Sequence, residues 1–292
     1  MKQIYQLFLW KYTRQKIRFM EKELGFHKFF HDLGGHKIFY LKRSSNSNAA
    51  KRKTLFLIPG LLDSASGFRK LCPTLRKDYD LYLVDVPGFG WSKLPAVRYL
   101  YQVDIFAHLV YSLIRSLDLK DVVLGGHSMG ALIAMHIALR DKEVEERIQK
   151  LVLLAPGGIP HPRRDEMRAL LFPQTSKEIE KLLAALYYES APSLGGFAKK
   201  ALLSVWNNTA HHYLTINTLD REKEIFPGKR LSDIKLKTLI ISGEDDPITE
   251  PKMIRKLSSY LKKSKISWIK GAKHALHVEK ASEVSEIMNQ WL

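Results

Sequence analysis

Six short apolar runs set the terms on which this chain folds. TLFLIPG, LYLVDVPG, VVLGG, LVLLAPGG, TLIISG and ISWIKG begin near positions 54, 81, 122, 151, 238 and 266, and each closes on glycine. A run with no polar alternation has no face to turn to water, so it belongs to a strand covered on both sides, as in a parallel sheet. Parallel neighbours need crossovers. Tyr101 to Leu117 and Ala131 to Gln149 have the composition of helices and supply them. Alternating strand and helix predicts a right-handed, doubly wound α/β sheet. Ahead of it, HKFFHDL and HKIFYLKR flank Gly34-Gly35, the signature of a hairpin, and Arg43 to Lys53 reads as an exposed loop.

Two segments stand outside this alternation. About 80 residues separate the run ending near Gly158 from the run starting at Thr238, and they contain the amphipathic patterns KEIEKLLAALYY and GFAKKALLSVW. A structureless loop of that size is unusual in a compact domain, so a helical insertion over 159–230 is expected. In an open α/β sheet it would lie above the C-terminal strand ends, where ligands bind. The other segment, 1–26, makes a poor secretory signal, because Lys11 stops its apolar stretch and no small-residue cleavage site follows. It reads better as an amphipathic helix. Lys11, Arg14, Arg18 and Lys22 share one face, and Ile4, Leu7, Phe8 and Tyr12 form an apolar surface beside it. Such a helix suits an anionic membrane interface, or equally a place against the protein's own body or a second subunit.

Charge is the one unusual bulk property. Lys and Arg number 47 against 30 Asp and Glu, a formal +17 over 292 residues. Nucleic acid and anionic lipid are the partners such a balance raises. No nucleic-acid module is present, so specific nucleic-acid recognition is not expected. The excess is clustered instead: seven Lys or Arg against two Glu within 1–30, and eight Lys or Arg with no acid within 251–274. The single cysteine, Cys72, excludes an intramolecular disulfide and a cysteine-based zinc site. No apolar run approaches the roughly 18 residues of a membrane-spanning helix. His211-His212 and the His274/His277 pair match no zinc spacing, and no Walker-type or dinucleotide-binding glycine loop is present, so no metal or organic cofactor is implied.

Chemistry centres on Gly126-His127-Ser128-Met129-Gly130, which follows the strand-like DVVLGG and precedes the helix-like ALIAMHIALR. A sharp strand-to-helix turn strains the serine backbone, small residues two positions either side relieve the crowding, and the hydroxyl projects above the sheet. A serine nucleophile needs a base and the base needs a carboxylate. TLIISGEDDP places Asp245 and Asp246 past one strand, and ISWIKGAKHALHVE places His274 and His277 past the next.

With these motifs in this order, residues 30–292 resemble a serine-dependent α/β-hydrolase. The resemblance implies a mostly parallel, doubly wound sheet of about eight strands over 27–158 and 231–292, with 159–230 as an inserted helical lid. It selects Asp246 over Asp245, the acid coming three residues after Gly243, and His274 over His277. It reads the strand-end loop from Asp85 to Ser92 as structural. It places the oxyanion hole on the backbone N–H groups of Met129 and Leu61, although Pro59 stands in Ile58-Pro59-Gly60-Leu61-Leu62 where the family often has histidine. The implied reaction is ester hydrolysis through an acyl-enzyme on Ser128.

Serine at 128 argues against dehalogenase and epoxide-hydrolase relatives, which carry Asp there. The resemblance leans towards monoacylglycerol lipases and carboxylesterases, with lipid-like esters as substrates. Leu170, Leu171, Phe172, Leu182, Leu183, Leu186 and Tyr187 are candidates for an acyl pocket, or for the lid's own packing face. C–C bond hydrolases, thioesterases and cofactor-free haloperoxidases keep the same triad and remain rivals. A non-catalytic interaction protein is the rival of another class. A cytoplasmic protein, with peripheral attachment to membrane through 1–26 as the variant, is the expected location. Oligomeric state is not legible in the sequence.

Overall fold

The computed structural model describes residues 2–46, 53–93, 95–189, 191–207 and 209–292. Most of the loop expected over Arg43 to Lys53, including Lys51 and Arg52, lies outside them.

Eight strands form one sheet: β1 (His27–Leu33), β2 (His36–Arg43), β3 (Lys53–Ile58), β4 (Tyr79–Val84), β5 (Val122–His127), β6 (Ile148–Leu154), β7 (Lys237–Gly243) and β8 (Ser264–Ile269). Their spatial order is β1-β2-β4-β3-β5-β6-β7-β8. Strand β2 runs antiparallel to both its neighbours, and β4, β3 and β5 to β8 pair in parallel. The hairpin is β1 and β2, with Leu33 opposite His36 across Gly34-Gly35.

Alternate side chains of the central strands serve two separate cores, as the period of two requires. Phe56 and Ile58 of β3 face the layer of α2 (Val103–Ser116) and α3 (Met129–Val144), whereas Leu55 and Leu57 face Phe68, Leu276 and Met288 on the other side. Every residue of β4 and β5 is buried, which is why both read as apolar without alternation. Helix α3 stops at Val144, five residues short of the expected Gln149. Glu146 adopts φ +50° and Ile148 already pairs with Val122, so the next strand claims the end of the helix-like segment.

Between β6 and β7 lie α4 (Arg164–Leu171), α5 (Ser176–Leu186), α6 (Gly196–Trp206), α7 (Thr209–Thr218) and the single turn α8 (Glu222–Ile225). A capping box starts α5: Glu178 N–H donates to Thr175 Oγ1 and Thr175 N–H donates to the Glu178 carboxylate. After β7 come α9 (Pro251–Tyr260), α10 (Leu276–Glu279) and α11 (Ala281–Trp291).

The N-terminal segment forms α1 (Lys2–Leu24). Its C-terminal half belongs to the body: Ile17 and Met20 are buried in the same core as Phe26, Phe68 and Leu41. Among the described residues no helix is long and apolar enough to cross a membrane. Truncating a fully buried methionine removes its contacts and leaves a cavity. Met20→Ala should therefore cost about 2–5 kcal/mol and lower the urea midpoint. An unchanged midpoint would mean that α1 is not part of the folded core.

Candidate active site

The site is assembled from loops at the C-terminal ends of parallel strands. Ser128 follows β5 directly and is the N-cap of α3, with φ +53° and ψ −115°. Its N–H donates to the Leu154 carbonyl and its own carbonyl accepts from Gly157 N–H, so the next strand braces the turn. The turn closes only because its flanks lack side chains. A Cβ on Gly126 would lie 2.3 Å from the Gly130 backbone, and one on Gly130 would lie 2.2 Å from the Ile58 carbonyl oxygen.

The loops after β7 and β8 bring the remaining groups to Ser128. Asp245 N–H donates to the Ala272 carbonyl, which joins the two loops. His274 Nε2 lies 2.9 Å from Ser128 Oγ, and His274 Nδ1 lies 2.8 Å from Asp246 Oδ2. An ionised carboxylate only accepts, so the proton sits on Nδ1 and Nε2 presents its lone pair to the serine hydroxyl. Asp245 points to solvent, and Asp246 is buried. His277 is buried too, but the carboxylate near its Nε2, at 3.8 Å, is that of Asp63.

Asp246 is saturated with donors. Oδ1 accepts from the N–H groups of Ile248 and Thr249 at 2.8 and 3.0 Å, and Oδ2 accepts from Thr249 Oγ1 at 2.6 Å as well as from His274. Burial pushes this carboxyl up. The neighbouring His274 and the hydrogen bonds from His274 and Thr249 outweigh burial and hold it below the usual carboxylate range. The acid is thus an anion at neutral pH, fit to orient an imidazole and to stabilise an imidazolium.

Two contributors were not read from the sequence. Thr249, three residues past the acid, closes the hydrogen-bond shell of Asp246. His127, the variable residue of the serine motif, donates from Nε2 to the His274 carbonyl at 2.9 Å and so fixes the histidine loop to the nucleophile's own turn. Burial, reinforced by the nearby His277 and His274, keeps the His127 imidazole well below its ordinary pKa and therefore neutral. Asp85 takes the structural place expected of its loop. Its oxygens accept from Ala65 and Trp91 N–H, and burial pushes it up to about 7.

Leu61, Ser128 and Met129 together line a cavity with about 880 Å³ of empty space, part of it open to solvent. Gly60 holds the Leu61 loop against the turn: a Cβ there would lie 2.8 Å from His127 Nδ1. Neither the Leu61 nor the Met129 N–H has a protein acceptor among the described residues. Both donors are therefore open to an oxygen bound beside Ser128. The cavity walls are mainly apolar, with Leu132, Ile159, Met167, Leu214 and Met253 among them. Of the seven insertion residues considered for an acyl pocket, Leu171 and Phe172 line it. Leu170, Leu182, Leu183, Leu186 and Tyr187 do not, and Leu182 is buried elsewhere.

A family model described as alpha/beta hydrolase fold matches residues 53–179. Among solved structures, a membrane phospholipase A described as a bacterial virulence factor superposes with a TM-score of 0.80, covering 97% of this chain and 91% of that one at 23% identity. The chain has the alpha/beta hydrolase fold. Two curated relatives match parts of the chain. An uncharacterised hydrolase of Bacillus subtilis, YugF, is 39% identical over 107 residues, which is 37% of this chain and 38% of that protein. The chain thus matches well under half of that relative's length. A 2-hydroxy-6-oxononadienedioate/2-hydroxy-6-oxononatrienedioate hydrolase of Paraburkholderia phymatum is 27% identical over 215 residues, covering 69% of this chain and 73% of that protein. Both are hydrolases by name.

The Thr249 hydroxyl offers a direct test of the site's electrostatics. A hydrogen bond to a charged group contributes about 1.5–3 kcal/mol, so Thr249→Val should lower kcat/KM by about 10- to 100-fold, and Thr249→Ser should restore most of it. Equal activity of Thr249→Val and the parent chain would remove Thr249 from the account.

Proposed function

We propose that this chain is a serine hydrolase that cleaves uncharged, lipid-like carboxylic esters through an acyl-enzyme on Ser128. The observation that carries the reading is the unbroken hydrogen-bonded line from Asp246 through His274 to Ser128, opening on an apolar cavity. His274 Nε2 takes the hydroxyl proton as Ser128 Oγ bonds to the acyl carbon. The carbonyl oxygen becomes an oxyanion held by the Leu61 and Met129 N–H groups. His274 then gives its proton to the departing alkoxide as the C–O bond breaks. Water, deprotonated by His274, attacks the acyl-enzyme and releases the acid and the serine hydroxyl. The helices of 159–230 act as the lid, since Met167, Leu171, Phe172 and Leu214 come from them to the cavity wall.

The walls favour esters over the dicarboxylate named for the Paraburkholderia relative. No Lys or Arg is found among the described lining residues, and Glu222 is there with its carboxyl pushed up by burial. A dianion in such a pocket would meet no counter-charge and would lose its hydration. A neutral acyl chain fits, and Thr218 Oγ1, buried in the wall without a hydrogen-bond partner among the described residues, suits a substrate that brings a hydroxyl, such as a monoacylglycerol.

A matched substrate set checks this. The octanoyl p-nitrophenyl ester and monooctanoylglycerol should be turned over. The octanoyl analogue with a terminal carboxylate should be at least ~10-fold poorer in kcat/KM, because an unpaired charge must be desolvated. Ser128→Ala should lose about 10⁴- to 10⁶-fold in kcat. Faster cleavage of a ring-cleavage dienedioate than of any ester would overturn the ester reading in favour of C–C hydrolysis.

A further inference from the structure

Helix α1 has two different halves. Beyond its buried Ile17 and Met20, the N-terminal half reaches the insertion, where the rings of Tyr5 and Phe8 each lie 5.2 Å from the ring of Phe197 on α6. The face turned outward is continuous. Ile4, Leu7, Lys11, Arg14, Arg18 and Lys22 follow one another at spacings of three and four, and all six are exposed. The stripe is apolar at its N-terminal end and basic from Lys11 onward. Trp10 and Tyr12 widen it, and Phe197 extends the apolar end onto α6. Ile4, Leu7, Trp10 and Phe197 are 55, 51, 46 and 47% exposed. None of the four cations has an ion-pair partner among the described residues, and the Arg14 guanidinium lies over Trp10 at 5.0 Å.

We propose that α1 and α6 together form a docking face for an anionic lipid bilayer. Charge complementarity selects this occupant. An unneutralised row of cations beside exposed aromatic and aliphatic side chains places the charges at anionic headgroups and the apolar end at the acyl boundary. The geometry also joins docking to the site. Lys199 of α6 pairs with Glu180 of α5, the Leu186 carbonyl at the end of α5 accepts from Ala275 N–H, and Glu279 Oε1 accepts from Tyr188 and Glu189 N–H. The element that touches lipid is therefore tied, through α5, to the loop that carries His274. Docking itself is independent of the ester reading. Delivery of a bilayer-held ester to Ser128 rests on it.

The test is co-sedimentation of the full chain with phosphatidylcholine vesicles and with vesicles containing phosphatidylglycerol, at low and at raised salt. Partitioning should be at least 10-fold stronger with phosphatidylglycerol and should weaken as salt rises. Lys11→Glu/Arg14→Glu/Arg18→Glu should abolish the preference for anionic vesicles. Ile4→Ser/Leu7→Ser/Trp10→Ser should weaken binding at least fivefold. Both variants should keep the parent melting curve and the parent turnover of soluble p-nitrophenyl acetate. Equal binding to both vesicle types, or variants that bind like the parent, would overturn the proposal. So would a dimer in gel filtration that the variants dissolve while vesicles capture nothing, which would make the face a contact between two copies. If no ester is hydrolysed at all, the vesicle result still decides docking, and only the ester reading fails.

Discussion

Ser128 is held at φ +53° between a buried strand and the helix it caps, and the rest of the site is arranged around that single conformation. A non-glycine residue in such a region costs about 1–3 kcal/mol, so the neighbours must leave it no alternative. They do so by contact. Gly126 and Gly130 let the helix start meet the strand end and the β3 carbonyls, Leu154 accepts the serine N–H, and Gly157 donates back. The conformation lifts the hydroxyl off the sheet, and it also sets Met129 N–H beside it at a helix N-terminus, where negative charge is favoured. Nucleophile and one oxyanion donor are thus fixed by the same turn.

The charge balance of the site follows from burial. Asp246 is shut away from water and stays ionised because four donors converge on its two oxygens. His127 is also buried and has no acidic partner among the described residues, so burial keeps it neutral and it serves as a strut to the His274 carbonyl. One anion is kept beside the reacting imidazole and no cation lines the described part of the substrate cavity. That asymmetry is the physical reason for favouring neutral esters over dianionic relatives' substrates. The cationic excess of the chain lies elsewhere, part of it along the outer stripe of α1.

Much of this was legible in the residues. The interior strands announced themselves because both their faces are buried, as in β4 and β5, whereas the edge strand β8 reads as apolar although only Ile269 of it is buried. The hairpin announced itself because Gly34-Gly35 admits positive φ. The strand ends marked Ser128, the Asp245/Asp246 pair and the His274/His277 pair, and the resemblance to serine-dependent α/β-hydrolases selected Asp246 and His274. The structure brings Ser128, His274 and Asp246 into hydrogen-bonding contact. Less local features were hidden. Thr249 acts through a turn closed by tertiary packing, and a threonine past an acid has no signature of its own. His127 matters because it crosses to a loop 147 residues away. The end of α3 was misplaced because charged residues suit both a helix end and a loop, and only pairing with Val122 shows where β6 begins. In the insertion, apolar spacing marked the helices but not which face meets the cavity, so Leu171 and Phe172 line it and Leu182 does not. For α1 the sequence left lipid and protein as alternatives, and the structure packs Ile17 and Met20 into the body while Ile4, Leu7, Lys11, Arg14, Arg18 and Lys22 stay exposed.

The most direct measurement is the site of covalent capture by a fluorophosphonate, read by peptide mass spectrometry of the folded full chain. The account predicts a single adduct on Ser128, formed faster in the parent chain than in His274→Gln and absent from Ser128→Ala. An adduct on another residue, or none on protein that melts cooperatively, would contradict it.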